Sequence, residues 1–338
     1  MPSESALVSS RQSLVGLGIS LVCLALMALQ MDMLDAWTAI TGFHWVYFLF
    51  GMTSLTIGYA MRIVRWSLML RATGANISPY ACIAPFVGSI ALNNVLPMRA
   101  GDLVRALVFP SAIGVGRVTA TSSLIMERLI DMGTLVVCLV IGLAVTSAVP
   151  MPAWMSSAAV GIAVMGGVSL ALFLLFSQQL SGWCAGLART SSDNNRVGRS
   201  RIFAALRDLL GSFHAMSRAP VLIWLLALSI LAWLGEAGLF WALLLGFGFD
   251  VGLAAAALVM SIATLATLVP SSPGYVGPFH LAAFVAISML GGETGDAWSF
   301  AVLSHLGVWL PTTLAGVIAI MTHPQLFRGL NSHAPTTR

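Results

Sequence analysis

The chain has 338 residues, of which 58% are hydrophobic and only 8% are charged, with a net charge of +4 at pH 7. A soluble domain carries roughly 25% charged residues, so this composition excludes a soluble globular protein and predicts an all-α polytopic membrane protein. Every basic residue is an arginine, which excludes lysine chemistry such as Schiff-base formation. The four cysteines are scattered without a C-x-x-C pair, so neither a disulfide framework nor a metal site is indicated.

Six apolar runs approach or exceed the roughly 20 residues that a membrane-spanning helix needs. In chain order they are 14–31, 43–70, 117–149, 153–177, 220–247 and 297–321. The first run is longer than the apolar part of a signal peptide and has no convincing small-residue cleavage site, so we expect it to be an uncleaved span. Two weaker stretches, 80–114 and 251–291, are broken in the middle by Pro and Gly. Each predicts a re-entrant helical hairpin.

The distribution of arginine predicts how the chain crosses the membrane. The segment 178–219 carries six Arg, and Arg328 and Arg338 follow the last run. The positive-inside rule places this segment and the C-terminus in the cytoplasm. We expect the N-terminus there too, in a bacterial inner membrane. The first hairpin then enters from the cytoplasm and the second from the exterior.

Similar features recur in the two parts of the chain and predict an inverted-topology repeat within a single integral membrane domain. Pro97 and Gly101 form a P-x-x-x-G motif in the first hairpin, and Pro270 and Gly274 form another in the second. Each motif lies between spans with interior ionisable groups. The predicted parts are a first half at 12–177, a basic linker at 178–219, a second half at 220–321 and a cytoplasmic tail at 322–338.

The linker contains four apolar residues at helical spacing, namely Ile202, Leu206, Leu209 and Phe213. This pattern predicts a short helix. It is either an amphipathic helix on the inner leaflet or an ordinary connecting helix packed on the bundle.

The first break is the most polar part of the membrane region, because Asn93, Asn94, Arg99, Asp102 and Arg105 lie inside an apolar stretch. Freed backbone groups and charges at membrane depth need protein or water around them, which predicts a cavity and a functional site. Arg99 and Arg105 would hold a phosphate, with Asp102 pairing one of them. The alternative is a cytoplasmic loop whose charges contact only water, but it does not explain the two asparagines.

Arg62 and Arg65 are three residues apart in the second run, so they share one helix face. A guanidinium matches phosphate with a planar fork of donors, which predicts an anion clamp close to the break. The alternative is that both side chains snorkel to the cytoplasmic interface and anchor the end of the span.

Glu127, Arg128 and Asp131 lie within about one helical turn of the third run. A charge at the bilayer centre costs about 2.5–3.5 kcal/mol on insertion scales, so these residues must pair or lie near water. We expect Asp131 to reach Arg128 along the helix, as part of the site or of a structural ion network. Further partners are expected among Arg62, Arg65 and Arg99.

The second break contains Pro270, Pro273, Gly274 and Gly277. Glycine permits close backbone approach, and the helix start at Pro278 would offer free N–H groups to an anion. Two further ionisable residues, Glu236 and His305, are expected deep in the second half, where they would either relay protons or only pack.

Motifs of known catalytic sites are missing from the sequence, including the P-loop, G-x-G-x-x-G, H-E-x-x-H and G-x-S-x-G patterns. We therefore expect no enzyme activity, no cofactor and no nucleic-acid partner.

The motifs above resemble those of the flippase-like transmembrane family, the membrane portion of lysylphosphatidylglycerol synthase/flippase, also called multiple peptide resistance factor. The matching segments are Arg62-x-x-Arg65-Trp66, Asn93-x-x-Leu96-Pro97-x-Arg99-x-Gly101-Asp102-x-x-Arg105, Glu127-Arg128-x-x-Asp131 and Pro270-x-x-Pro273-Gly274-x-x-Gly277. In the family an acidic residue often follows the last glycine, whereas Pro278 stands here. The resemblance implies a stand-alone member without the aminoacyl-transfer domain of large members, and lipid translocation without aminoacylation.

The leading hypothesis is a flippase for a lipid with a polar headgroup, namely an anionic phospholipid or a lipid phosphate. The phosphate would be held by Arg62, Arg65, Arg99 and Arg105. Three alternatives stay open: a transporter of hopanoid or another lipid, an intramembrane enzyme that uses Glu127 and Asp131, and a scaffold for lipid-biosynthesis enzymes. The sequence leaves the oligomeric state open.

Overall fold

The computed structural model describes residues 4–29, 33–146, 179 and 197–327, and these ranges contain helices and no strand. The helices are α1 (Glu4–Ala28), α2 (Met33–Gly42), α3 (Trp45–Ala72), α4 (Pro79–Val95), α5 (Ala100–Leu107), α6 (Arg117–Val145), α7 (Val197–Met216), α8 (Ala219–Gly246), α9 (Leu253–Ala266), α10 (Pro278–Met289) and α11 (Thr294–Thr322).

Within the described ranges, α3, α6, α8 and α11 are long and apolar enough to cross a membrane, while α9 and residues Val15–Ala28 of α1 form shorter apolar helices. The structure thus confirms an all-α polytopic membrane protein. The long helices coincide with four of the predicted spans. The predicted span 153–177, the basic linker before residue 197 apart from residue 179, and the tail after residue 327 lie outside the described residues.

Both broken stretches form helical hairpins. In the first, α4 ends before Pro97, a short 3-10 turn follows at Pro97–Arg99, and α5 returns along α4. A proline supplies no N–H to the helix and disfavours the helical conformation of the residue before it, so Leu96 is extended, with φ −94° and ψ 147°. In the second hairpin, α9 and α10 are joined through a turn at Pro273–Tyr275.

Helices α3 and α8 pack along their length in opposite directions. Arg65 bonds Ser229 near one end of the pair, and the backbone N–H of His44 donates to the carbonyl oxygen of Gly246 near the other. The first hairpin follows the C-terminal end of α3, and the second follows the C-terminal end of α8. Because these two ends lie at opposite ends of the pair, the hairpins approach the middle from opposite directions.

The two halves contain corresponding helices in the same chain order, and the contacts between these helices recur. Helices α3, α4, α5 and α6 of the first half correspond to α8, α9, α10 and α11 of the second. Helix α4 packs on α11, and its equivalent α9 packs on α6. Likewise α5 packs on α6 as α10 packs on α11. Since the equivalent helices α3 and α8 are antiparallel, this pattern supports the predicted inverted repeat.

The linker helix α7 packs on the bundle in its C-terminal half. Phe213 and Met216 are fully buried in a cluster with Met69 and Met126. Leu206 is instead 39% exposed. The interpretation as a packed connecting helix therefore holds for the C-terminal half.

A glycine contact at the crossing of α3 and α8 yields a testable prediction. A Cβ added to Gly235 would lie 2.5 Å from the Cα of Gly58, so Gly235→Ala must push the helices apart. We expect a loss of about 1–2 kcal/mol in unfolding free energy, typical of overpacking, measured by chemical denaturation in detergent. Gly42→Ala is the matched control, because a Cβ there meets nothing within 4 Å. Equal stability of the two variants would contradict the close packing.

Candidate functional site

A cavity of about 180 Å³ lies where the two hairpin turns meet α3, α6, α8 and α11. Most residues predicted for the site line it. They are Arg62, Asn93, Asn94, Arg99, Asp102, Arg105, Glu127, Arg128, Asp131, Glu236, Gly274 and His305. The four others lie nearby. Pro270 and Pro273 line an adjoining cavity, Arg65 is buried behind Asp131, and Gly277 packs against Ser20 of α1.

Two buried ion pairs connect α3 to the helices around it. Arg62 donates to Glu236 of α8 at 2.7 Å. Arg65, which is fully buried, donates to Asp131 of α6 at 2.6 Å and to Ser229 of α8 at 2.7 Å. The interpretation of these arginines as interfacial anchors is therefore wrong, because both side chains point into the bundle.

Two further ion pairs hold α5 against α6. Arg105 donates to Glu127 at 2.8 Å, and Arg128 donates to Asp102 at 2.6 Å. The expected pairing of Arg128 with Asp131 along one helix is wrong, because each side chain turns toward a different neighbouring helix. The closest approach of Asp102 to Arg105 is 4.0 Å, so the expected pairing there is a longer secondary contact.

Arg99 differs from the other arginines of the cavity. Within the described residues it forms no ion pair with a carboxylate, and its guanidinium donates to the hydroxyl of Thr267 at 2.9 Å. Five arginines thus face four carboxylates in this network, which leaves one positive charge uncompensated. Arg62, Arg65 and Arg105, predicted to bind phosphate together with Arg99, are each held by a carboxylate.

The two asparagines of the first break are buried and bonded. Asn93 donates to the carboxylate of Asp102 at 2.9 Å and accepts from the backbone N–H of Asp102 at 3.0 Å. Asn94 donates to the hydroxyls of Thr312 and Thr313 on α11 at 3.1 and 2.9 Å. The alternative of a water-exposed loop is therefore wrong: the asparagines join the two arms of the first hairpin to each other and to the second half.

His305 holds the turn of the second hairpin, because its Nε2 lies 2.7 Å from the carbonyl oxygen of Gly274. The ring of His280 lies against that of His305, tilted by 42° at a centre-to-centre distance of 4.5 Å. The start of α10 is covered by α1, where the Ser20 hydroxyl donates to the carbonyl oxygen of Val276 at 2.7 Å. Pro278 is buried, while the next residue, Phe279, lines the cavity, so the anion site expected at this helix start stays a prediction.

Sequence reasoning missed four residues that contact the charged groups. The guanidinium of Arg62 lies 5.0 Å from the ring centre of Tyr59 and 4.5 Å from that of Trp233. Their spacing carries a signal, because each aromatic residue precedes an ionisable one by three positions and shares its helix face. Thr267 and Tyr275, which contact Arg99, carry no such local signal.

A second cavity of about 360 Å³ lies between the two hairpin turns. It shares part of its wall with the polar cavity, including Arg99 and Tyr275. Its remaining wall is largely apolar and contains Leu96, Met98, Leu268 and Val269 among other residues. A charged pocket and an apolar pocket therefore adjoin at Arg99. Among the described residues, no group of three or more His, Cys, Asp or Glu could hold a metal ion.

Comparison with known proteins identifies the family. The family described as the lysylphosphatidylglycerol synthase TM region matches residues 13–316. A UPF0104 membrane protein of Methanothermobacter thermautotrophicus is 24% identical over 289 residues, which cover 81% of this chain and 85% of that protein. No solved structure matches the chain. Since the match spans nearly all the membrane helices, the protein belongs to the lysylphosphatidylglycerol synthase TM region family.

Proposed function

We propose that the protein translocates a lipid with an anionic headgroup, a phospholipid or a lipid phosphate, between the leaflets of a bacterial inner membrane. Family membership supports a lipid-related membrane function. The observation that carries the finer proposal is the position of Arg99, the uncompensated cation at the junction of a polar and an apolar cavity. A headgroup phosphate would bind Arg99 while its acyl chains stay among the apolar side chains.

The arrangement of the hairpins suits alternating access. The hairpins approach from opposite ends of the α3–α8 pair, and their turns meet at the cavity. Movement of one hairpin would open the site toward one leaflet, and movement of the other would open it toward the second leaflet. Both termini are placed in the cytoplasm in this scheme, as the arginine distribution predicts.

The alternatives fit the cavity less well. A neutral hopanoid would leave the charge of Arg99 without a partner. The enzyme hypothesis uses Glu127 and Asp131 as base or metal ligand, but Glu127 is bonded to Arg105 and Asp131 to Arg65. A soluble anion would have no use for the adjoining apolar cavity.

Translocation of labelled phosphatidylglycerol by reconstituted protein tests the proposal. In vesicles, chemical quenching of the outer-leaflet label should reveal accelerated exchange of phosphatidylglycerol and slower exchange of phosphatidylcholine. We expect Arg99→Gln to reduce the phosphatidylglycerol rate about tenfold or more, because a hydrogen bond to a charged group contributes about 1.5–3 kcal/mol.

Arg117→Gln is the matched control, since Arg117 is exposed at the start of α6 and does not line the cavity. It should exchange lipid at the parental rate. Parent protein that moves no anionic lipid, or Arg99→Gln protein with the parental rate, would reject the proposal.

A further inference from the structure

The two hairpin turns contact each other through residues with an unusual backbone. In the described part of the chain, the non-glycine residues with positive φ are Met98 at 58°, Arg99 at 53° and Tyr275 at 61°. All three lie at the turns, and the guanidinium carbon of Arg99 is 5.3 Å from the ring centre of Tyr275. Such conformations persist only where surrounding contacts hold them, and they cluster at switch regions.

Arg99 joins the two hairpins. It belongs to the first hairpin, yet the partners that hold its guanidinium belong to the second: the hydroxyl of Thr267 at 2.9 Å, the carbonyl oxygen of Thr267 at 3.5 Å and the ring of Tyr275. None of these partners carries a negative charge. The contact therefore connects the two turns without neutralising the cation.

A phosphate would compete successfully for this guanidinium. Thr267 offers the guanidinium only neutral acceptors, whereas phosphate is a charged acceptor that arginine can bind with two parallel hydrogen bonds. A ligand that binds the released guanidinium better than the held one shifts the equilibrium toward separated turns. Binding and opening would then be the same event.

On the basis of the proposed function, we propose that Arg99 is a latch between the hairpins that a phosphate-bearing ligand opens. Without ligand, Arg99 holds Thr267 and Tyr275 and keeps the turns together. A phosphate at the junction of the two cavities takes over the guanidinium, and the turns separate. The same residue thus recognises the ligand and controls access to the site.

Distances between spin labels on the two hairpins test the latch. Leu103 on α5 and Val285 on α10 are 60% and 44% exposed and line neither cavity, and cysteines there can be labelled after the four natural cysteines are replaced by alanine. In nanodiscs of phosphatidylcholine we expect a short distance. Phosphatidylglycerol should lengthen it. Inorganic phosphate is then added to phosphatidylcholine nanodiscs. A longer distance there would show that a free anion opens the latch, and an unchanged distance would show that a lipid headgroup is needed.

Two substitutions distinguish a latch from a simple binding residue. Arg99→Gln should give the long distance in both lipids, because the bond to Thr267 is lost. Thr267→Val keeps the guanidinium but removes the hydroxyl that accepts its hydrogen bond, which weakens the closed state. The phosphatidylglycerol concentration at which half of the molecules show the long distance should therefore fall about tenfold. Arg117→Gln should behave as the parent. If Arg99→Gln fails to fold, the Thr267→Val titration decides by itself.

The latch is overturned if Arg99→Gln keeps the short distance, or if phosphatidylglycerol leaves the parental distance unchanged while the same samples translocate it. Opening by phosphatidylglycerol without translocation would support the latch and reject the proposed function. Opening by inorganic phosphate alone would support the latch and identify a free anion as its ligand.

Discussion

Replacing Arg65 by methionine should lower the free energy of unfolding by about 3–5 kcal/mol, the usual cost of removing one partner from a buried ion pair. Arg65 is fully buried, and it donates to Asp131 at 2.6 and 3.1 Å through two nitrogens. Without it, Asp131 would keep a negative charge with the indole N–H of Trp233, at 3.1 Å, as its remaining close donor among the described residues. Chemical denaturation in detergent micelles measures the loss.

A second substitution and a surface control make this result specific. Arg65→Met combined with Asp131→Asn should recover much of the lost stability, because the uncompensated charge is gone while the side-chain oxygen can still accept from Trp233. Arg207→Met removes an arginine that pairs with Asp208 at an exposed site, where ion pairs contribute at most about 1 kcal/mol. A loss no larger for Arg65→Met than for Arg207→Met would show that the buried pair adds little stability.

Replacing Gly101 by alanine should destabilise the protein by about 3 kcal/mol or more, the upper range of overpacking, and abolish lipid translocation. A Cβ at Gly101 would collide with the carbonyl oxygen of Ser89 and lie 2.7 Å from the backbone nitrogen of Asn93. Both atoms belong to the backbone of α4 and cannot turn aside. Helix α5 must therefore move away, and it would carry Asp102 and Arg105 out of their ion pairs.

The control for this prediction is Gly18→Ala in α1, where an added Cβ meets nothing within 4 Å. It should keep both stability and transport. Denaturation and the vesicle assay on the same preparations separate the two effects. Normal translocation by folded Gly101→Ala protein would show that the close packing of α5 on α4 is not needed for function.

The two hairpins are held by different forces, although the helices around them correspond. In the first, ion pairs and asparagine bonds add to the packing of α4 in apolar clusters, as Arg105–Glu127 and Arg128–Asp102 illustrate. The second packs in the main apolar cluster, where Met260 and Ile287 are fully buried. Side-chain packing resists motion in every direction, whereas bonds between charged groups can be exchanged for bonds to a ligand. This difference supports the first hairpin as the part that responds to an anion.

Local patterns in the sequence were enough to locate the four long helices α3, α6, α8 and α11 and both breaks. The predicted run 43–70 corresponds to the helix Trp45–Ala72, and the predicted run 220–247 corresponds to the helix Ala219–Gly246. The agreement is close because length and apolar composition set the ends of a membrane helix. The first break lies at Pro97 because proline cannot continue the helical hydrogen bonds. Charges and asparagines inside apolar stretches also marked the charged part of the cavity wall, since such residues need polar surroundings.

The sequence by itself therefore determined that this is a helical membrane protein with two broken hairpins and a polar site between them. Only the tertiary structure decided which charges neutralise one another, because Arg62 and Glu236 are 174 residues apart and meet only when α3 packs on α8. Coulomb energy falls with the distance between charges, and that distance depends on the neighbouring helix rather than on spacing along the chain. For this reason the packing of the helices, and not the spacing of the motifs, leaves Arg99 as the cavity arginine without a carboxylate partner among the described residues.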